Sequence, residues 1–170
     1  MISIGIDLSL TGTGIIVLKG NKIIKEALIK SKPSGPFPID ELKRLVTIKK
    51  EVMEYAQQAD IAVIEGLAFM ARNTSALVQL AGLNYLVREG LSELGIDFKI
   101  VTPSSLKKFI TGKGNSEKSL MLLETYKRFG VSFSNDNICD AYALAMVGQA
   151  VVNPAYKLTK FQEEVMSIII

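Results

Sequence analysis

Ile2-Ser3-Ile4-Gly5-Ile6-Asp7-Leu8-Ser9-Leu10-Thr11-Gly12-Thr13-Gly14-Ile15-Ile16-Val17 opens the chain and decides how the rest of it is read. An apolar, β-branched run reaches one carboxylate at Asp7, turns through small residues and glycines, and returns as a second apolar run. That is the pattern of a buried β-hairpin. A lone carboxylate at the end of a buried strand is costly to ionise unless a cation, a hydrogen-bond donor or water meets it there. Asp7 is therefore a candidate metal ligand, and the competing reading has it accepting hydrogen bonds from the turn amides of Leu8 to Gly12.

Beyond the hairpin, Lys22 to Ile29 continues as a third strand after Gly20-Asn21, making an antiparallel meander. The proline- and glycine-rich stretch Ser31 to Pro38 is a loop. Asp40 to Gln58 then carries Leu42, Leu45, Val46, Ile48, Val52, Met53 and Tyr55 at near-helical spacing. Asp60 to Glu65 is a short apolar strand that ends, like the first, on a carboxylate, so one buried sheet would set Asp7 and Glu65 side by side. Asn73 to Leu94 is helical, with Leu77, Leu80, Ala81, Asn84, Val87 and Leu91 on one stripe and Gly95 as its stop. Asp97 to Val101 is a fifth strand, and Thr102-Pro103-Ser104 starts a helix through Thr111. After Gly112 to Asn115, Ser116-Glu117-Lys118 opens another helix to Phe129-Gly130. Asn135 or Asp136 caps a last long helix that carries Asp140 and runs through Val147.

At 170 residues and 48% hydrophobic content, the chain has the size and core material of one domain. We expect it to span 1–153, with 154–170 a short C-terminal tail and not a separate domain, its Ile168-Ile169-Ile170 packed on the body or on a second subunit. The opening residues lack a basic leader, and no apolar run nears the roughly 18 residues that span a bilayer. The expectation is a soluble cytoplasmic protein with no membrane partner. A single cysteine, Cys139, excludes an internal disulfide and a cysteine-based zinc site, and the absence of histidine excludes Ser-His or Cys-His catalysis. Chemistry must rest on carboxylates, lysines or hydroxyls. The net charge of +3 does not by itself announce a nucleic-acid partner.

The order βββ-α-β-α-β-α-α-α, with carboxylates ending strands one and four, fits the α/β ribonuclease H-like class, a five-stranded mixed sheet flanked by helices. Four stretches sharpen this: Ala62-Val63-Ile64-Glu65-Gly66; Phe69-Met70-Ala71-Arg72-Asn73 with Ser75-Ala76-Leu77; Gly112 to Lys118; and Asp140-Ala141-Tyr142-Ala143-Leu144-Ala145. In that order they resemble the RuvC-type Holliday-junction resolvases, from Met1 to about Ala150. The compact length and Lys/Ile-rich composition look like the viral branch of that family, which would place the protein in a bacterial host's cytoplasm.

The resemblance implies a crossover junction endodeoxyribonuclease that uses two Mg2+ or Mn2+ ions to hydrolyse a phosphodiester. A metal-activated water would attack in line and leave 5′-phosphate and 3′-hydroxyl ends on four-way and other branched DNA. Asp7, Glu65 and Asp140 match three of the family's four acidic ligands. The family places Asp or His three residues before its last Asp, where this chain has Asn137, with Asp136 one residue earlier. Either side chain shares a helix face with Asp140; Asp136 is favoured because a full charge suits a hard cation better than an amide does, and its other reading is a helix N-cap. Lys118 matches a lysine near the scissile phosphate, and Lys107 and Lys113 fall on the same basic surface. Phe69 matches an aromatic that stacks on bases in the opened junction, with Arg72 beside it. Solvated helix lysines and a core phenylalanine are the competing readings of these residues.

Two departures bear on specificity. Leu8-Ser9 replaces the family's frequent Pro-Gly after the first Asp, and Gly66 stands where Gln often follows the Glu. Paired cuts in strands of like polarity also require two sites, so the resemblance implies a homodimer, which we expect through the 73–94 helix. Two other functions compete. Gly5 to Gly14 also resembles the phosphate-binding hairpin of an actin-like nucleotide-binding phosphotransferase lobe, although such proteins need a second lobe and this chain has room for one. A catalytically silent branched-DNA binding module is the third reading, and it would have no use for three converging carboxylates.

Overall fold

The structure, a computed structural model, describes residues 1–67 and 74–169. Strands β1 (Ile2–Asp7), β2 (Gly12–Lys19), β3 (Lys22–Lys30), β4 (Ile61–Glu65) and β5 (Asp97–Val101) form one sheet in the order β3-β2-β1-β4-β5. The meander is antiparallel, while β4 runs parallel to both β1 and β5. This is the mixed α/β sheet the sequence predicts. Ile6 pairs with Ile64, so the next residues out of register, Asp7 and Glu65, end adjacent strands at the same edge of the sheet.

Helices α1 (Ile39–Ala56) and α2 (Thr74–Glu93) cover one face of the sheet. Ile4, Ile6, Ile15 and Val17 pack there against Ile48, Val52, Leu83, Val87 and Leu91. The other face carries α5 (Asp136–Val152), with α3 (Pro103–Thr111), α4 (Lys118–Phe129) and α6 (Lys160–Met166) around it. Side chains alternate along a strand, so Ser3, Gly5 and Asp7 of β1 and Val63 and Glu65 of β4 point towards α5. Glycine lets this helix come close: a methyl on Gly5 would overlap the Ala141 carbonyl, and one on Gly14 would overlap that of Asn137. Ser3 Oγ donates to the Ala145 carbonyl at 2.8 Å, and Gln149 Nε2 donates to Ser3 Oγ at 2.9 Å, locking the register of α5 on β1.

Several boundaries differ from the expected ones. Helix α4 begins at Lys118, not at Ser116, because Ser116 Oγ is spent on Thr111 Oγ1 (2.6 Å) and the Lys113 carbonyl (2.8 Å), closing the loop before the helix. Of the two expected caps of α5, Asn135 is the one used, its Oδ1 accepting from the Asn137 and Ile138 amides. Within 154–170, α6 docks on α3: Val165 is buried, Gln162 Nε2 donates to the Phe109 carbonyl at 3.2 Å, and Lys108 pairs with Glu164 at 2.6 Å. Ile168 is exposed and Ile169 packs on the second core; Ile170 lies outside the described residues. The stripe expected on the 73–94 helix divides. Asn84, Val87 and Leu91 are buried in the chain's own core, because α1 and the sheet claim that face, and Leu77, Leu80 and Ala81 are half-buried. Among the described residues no helix is long and apolar enough to cross a membrane.

Candidate active site

Three elements bring carboxylates to one edge of the sheet. The parallel pairing of β1 with β4 sets Asp7 beside Glu65, and the close seating of α5 on Gly5 and Gly14 brings Asp140, one turn into that helix, over them. Asp7 is 7% exposed, and Glu65 and Asp140 are half-buried. Burial pushes the Asp7 carboxyl up to about 8, helped by repulsion from Glu65 and Asp140. Burial likewise raises Glu65 to about 7, with Asp140 adding to the shift, and Asp140 itself to about 6. Desolvation and mutual repulsion both disfavour the charged forms, so the trio retains protons that a bound cation would displace.

The turn after Asp7 does not draw on its carboxylate. Thr13 Oγ1 donates to the Ser9 carbonyl at 2.8 Å and accepts from the Ser9 amide at 3.2 Å, while Ser9 Oγ accepts from the Thr11 amide at 3.3 Å. The Ser9 and Thr11 amides thus have partners of their own, and what acts on the Asp7 carboxyl is burial and the charges of Glu65, Asp140 and Lys118.

Lys118 and Lys107 temper the acids. Lys118 lowers all three, and Lys107 lowers Glu65 and Asp140. Lys118 Nζ lies 3.0 Å from Asp136 Oδ2, a hydrogen bond that raises the lysine above its ordinary value and helps hold its cation at the first residue of α4, where the helix dipole alone would repel it. Asp136 is thus engaged with Lys118. Asn137 Nδ2 donates to the Gly12 carbonyl at 2.6 Å and so ties α5 to the β1–β2 hairpin. Lys113 is exposed on the loop between α3 and α4, where its backbone bonds Thr111 and Ser116. Phe69 and Arg72 lie outside the described residues.

Two contacts escape a reading by residue type. Asn84 is buried on α2, and its Nδ2 donates to the backbone carbonyl of Glu65 at 3.4 Å. The signal for it was an amide inside an otherwise apolar stripe, which is costly to bury without a task. Arg44 on α1 donates from Nε to Ser31 Oγ at 2.6 Å and from Nη2 to the Leu10 carbonyl, bracing the turn that follows Asp7. Nothing in its local spacing points to that contact.

The donor set is all oxygen and includes no thiol or imidazole, which suits hard divalent cations of the magnesium and manganese kind. Among the described residues no three carboxylates are gathered closely enough to cage a single ion.

Comparison with known proteins agrees with this architecture. The family model for crossover junction endodeoxyribonuclease RuvC matches residues 3–148. Named relatives include that enzyme from Brachyspira hyodysenteriae, 25% identical over 150 residues and covering 86% of this chain and 92% of the relative. The Campylobacter jejuni enzyme is 29% identical over 155 residues, covering 86% and 93%. Among solved structures, Thermus thermophilus RuvC in complex with Holliday junction substrate superposes with a TM-score of 0.74 at 22% identity, over 86% of this chain and 91% of that one. The family match runs from the first strand to the far part of α5 and so takes in every element that carries an acid of the cluster, and the chain belongs to the RuvC family of crossover junction endodeoxyribonucleases.

Proposed function

We propose that this protein is a structure-selective endonuclease that cuts the phosphodiester backbone of Holliday junctions and related branched DNA. The observation that carries the reading is the coupling of Asp7, Glu65 and Asp140 at one sheet edge, each held above its ordinary range, in a chain of this family. Those three acids hold divalent ions, Mg2+ or Mn2+. Two ions that share these acids with a phosphate would complete their coordination from the substrate. When bound, such ions lower a water's pKa towards about 7 and neutralise charge on the attacking and leaving oxygens. The fourth protein ligand comes from Asn137 or Asp136. The Lys118 pair draws Asp136 away, while Asn137 spends only its amide nitrogen on Gly12 and keeps its oxygen for a ligand.

Lys118 and Lys107, already in the field of the acids, meet the reacting phosphate, and Lys113 extends that basic rim. Phe69 and Arg72 are assigned to the opened junction centre on family position alone. Cleavage leaves 5′-phosphate and 3′-hydroxyl ends, and the site of action is the cytoplasm, where the DNA lies.

One chain carries one such cluster, so paired incision calls for a homodimer. Helix α2 is the proposed contact. Its outward residues Val78 and Tyr85, 69% and 65% exposed, replace the buried Val87 of the original stripe as the anchors.

Synthetic four-way junctions beside linear duplex, each with Mg2+ or Mn2+, test the reading. Nicks are expected in the junction and not in the duplex, and none in chelator. ATP binding in place of cleavage would favour the phosphotransferase lobe, and junction binding without cleavage in either metal would favour the silent module.

A further inference from the structure

A second charged surface lies on the same edge of the sheet as the acids, across the β1–β2 turn from them. β3 runs in the direction of β1, so its last residue, Lys30, paired with Gly12, ends where Asp7 ends. The loop after it and the first turns of α1 enclose an open hollow of about 300 Å³ lined by Lys30, Lys32, Lys43, Arg44, Asp40 and Glu51. Four cations face two carboxylates there. Asp40 is already satisfied, accepting from the Ser34 amide at 3.0 Å and from Ser34 Oγ at 2.8 Å. Among the described residues no carboxylate pairs with Lys30, Lys32 or Lys43; most of the chain's lysines are likewise unpaired, and what sets these three apart is that they line one concavity. Arg44, held by Ser31 Oγ and the Leu10 carbonyl, fixes the hollow to the catalytic turn, and Leu10 is three residues from Asp7, at most about 10 Å of extended backbone.

We propose that this hollow binds the sugar-phosphate backbone of a DNA arm as it leaves the active site, with Lys32 and Lys43 each neutralising a phosphate. The inference rests on the nuclease reading above and adds a second, sequence-independent foothold to it. Unpaired cations gathered in a concavity beside a phosphate-cutting site have polyanion backbone as their natural counter-charge, and such contacts position DNA without reading bases.

The test is the double variant Lys32→Gln/Lys43→Gln, with Lys19→Gln/Lys22→Gln, at the opposite edge of the sheet, as a charge-matched control. All four lysines are exposed, so folding is preserved. Junction affinity is titrated in chelator from 50 to 200 mM salt, and cleavage is then measured at saturating protein with Mg2+. The Lys32/Lys43 variant should bind about tenfold more weakly at 50 mM salt, with the slope of log affinity on log salt reduced by about 2 and little difference left at 200 mM. Its cleavage rate at saturation should equal the parent's, and the control should keep the parental slope. An unchanged slope in the Lys32/Lys43 variant, or an equal loss in the control, overturns the proposal while junction cutting by the parent stands. A parent that neither binds nor cuts the junction overturns the nuclease reading, and this proposal with it.

Discussion

Asp7, Glu65 and Asp140 illustrate how far a residue's chemistry is set by what it is buried beside. Each is an ordinary carboxylic acid that loses water and gains like-charged neighbours on folding, and each holds its proton more tightly as a result. Without divalent metal, Asp7 titrates at about 8 against 3.8 in the unfolded chain, so the folded state binds the extra proton across that window. Stability from the protonated form is therefore complete below about pH 4 and is lost as pH rises through 8. Thermal unfolding in chelator should show the melting temperature falling from pH 5 to pH 8, and Asp7→Asn should remove about half of that slope, Glu65 and Asp140, raised to about 7 and 6, supplying the rest. A wild-type melting temperature that does not change over the window would contradict the coupling. In catalysis the same acids act through charge: Glu65→Gln should lower single-turnover junction cleavage by at least about a thousandfold, several kcal/mol of lost metal-held charge stabilisation, while folding and junction binding persist. Retained cleavage would remove Glu65 from the site. Asp140 was singled out by the family resemblance, whereas Asp7 and Glu65 were legible in the sequence because they end strands. Asn84 and Arg44 were not, since each acts on a backbone carbonyl far away in sequence, and residue type does not announce that.

At the scale of elements, β1 and α5 make the site, and glycine makes their contact. Gly5 and Gly14 interrupt two β-branched strands, and a glycine inside a strand marks a place where another backbone comes close. That signal was available in the sequence, but it says only that something approaches, not which element does. The structure supplies α5, in near-backbone contact with Ala141 and Asn137. Gly5→Ala should cost about 3 kcal/mol in urea unfolding, since α5 can yield only by sliding off the sheet. Gly20→Ala, at φ +58 in an open turn, should cost about 1 kcal/mol. Equal costs would mean that α5 is not seated on β1 as described. The order of strands and helices along the chain was readable from period and punctuation; the place of β5 beside β4 in the sheet was not. The start of α4 was not, because Ser116 has a competing partner in Thr111 that local spacing cannot reveal.

For the whole molecule, the division of α2 sets what an assembly test can show. Charge at the buried Val87 would unfold the monomer and say nothing about partners, whereas Val78→Glu with Tyr85→Glu leaves the core untouched. That variant should be a folded monomer by light scattering, nicking single strands where the parent makes paired cuts. A parent that is monomeric both alone and on the junction would refute the dimer. Periodicity marked this helix as amphipathic but gave no account of which side the sheet would take, because both sides of α2 carry apolar residues. One further consequence follows from α5 lying across β1. The acid cluster draws Asp7 from β1 and Asp140 from α5, with every element from β2 to α4 made between them. Synthesis proceeds at about 5–20 residues per second, so the hairpin waits several seconds on the ribosome before the helix that completes it emerges. Until then no nascent, stalled or prematurely terminated product holds the full acid set, and an enzyme that breaks DNA is armed only once α5 has been made.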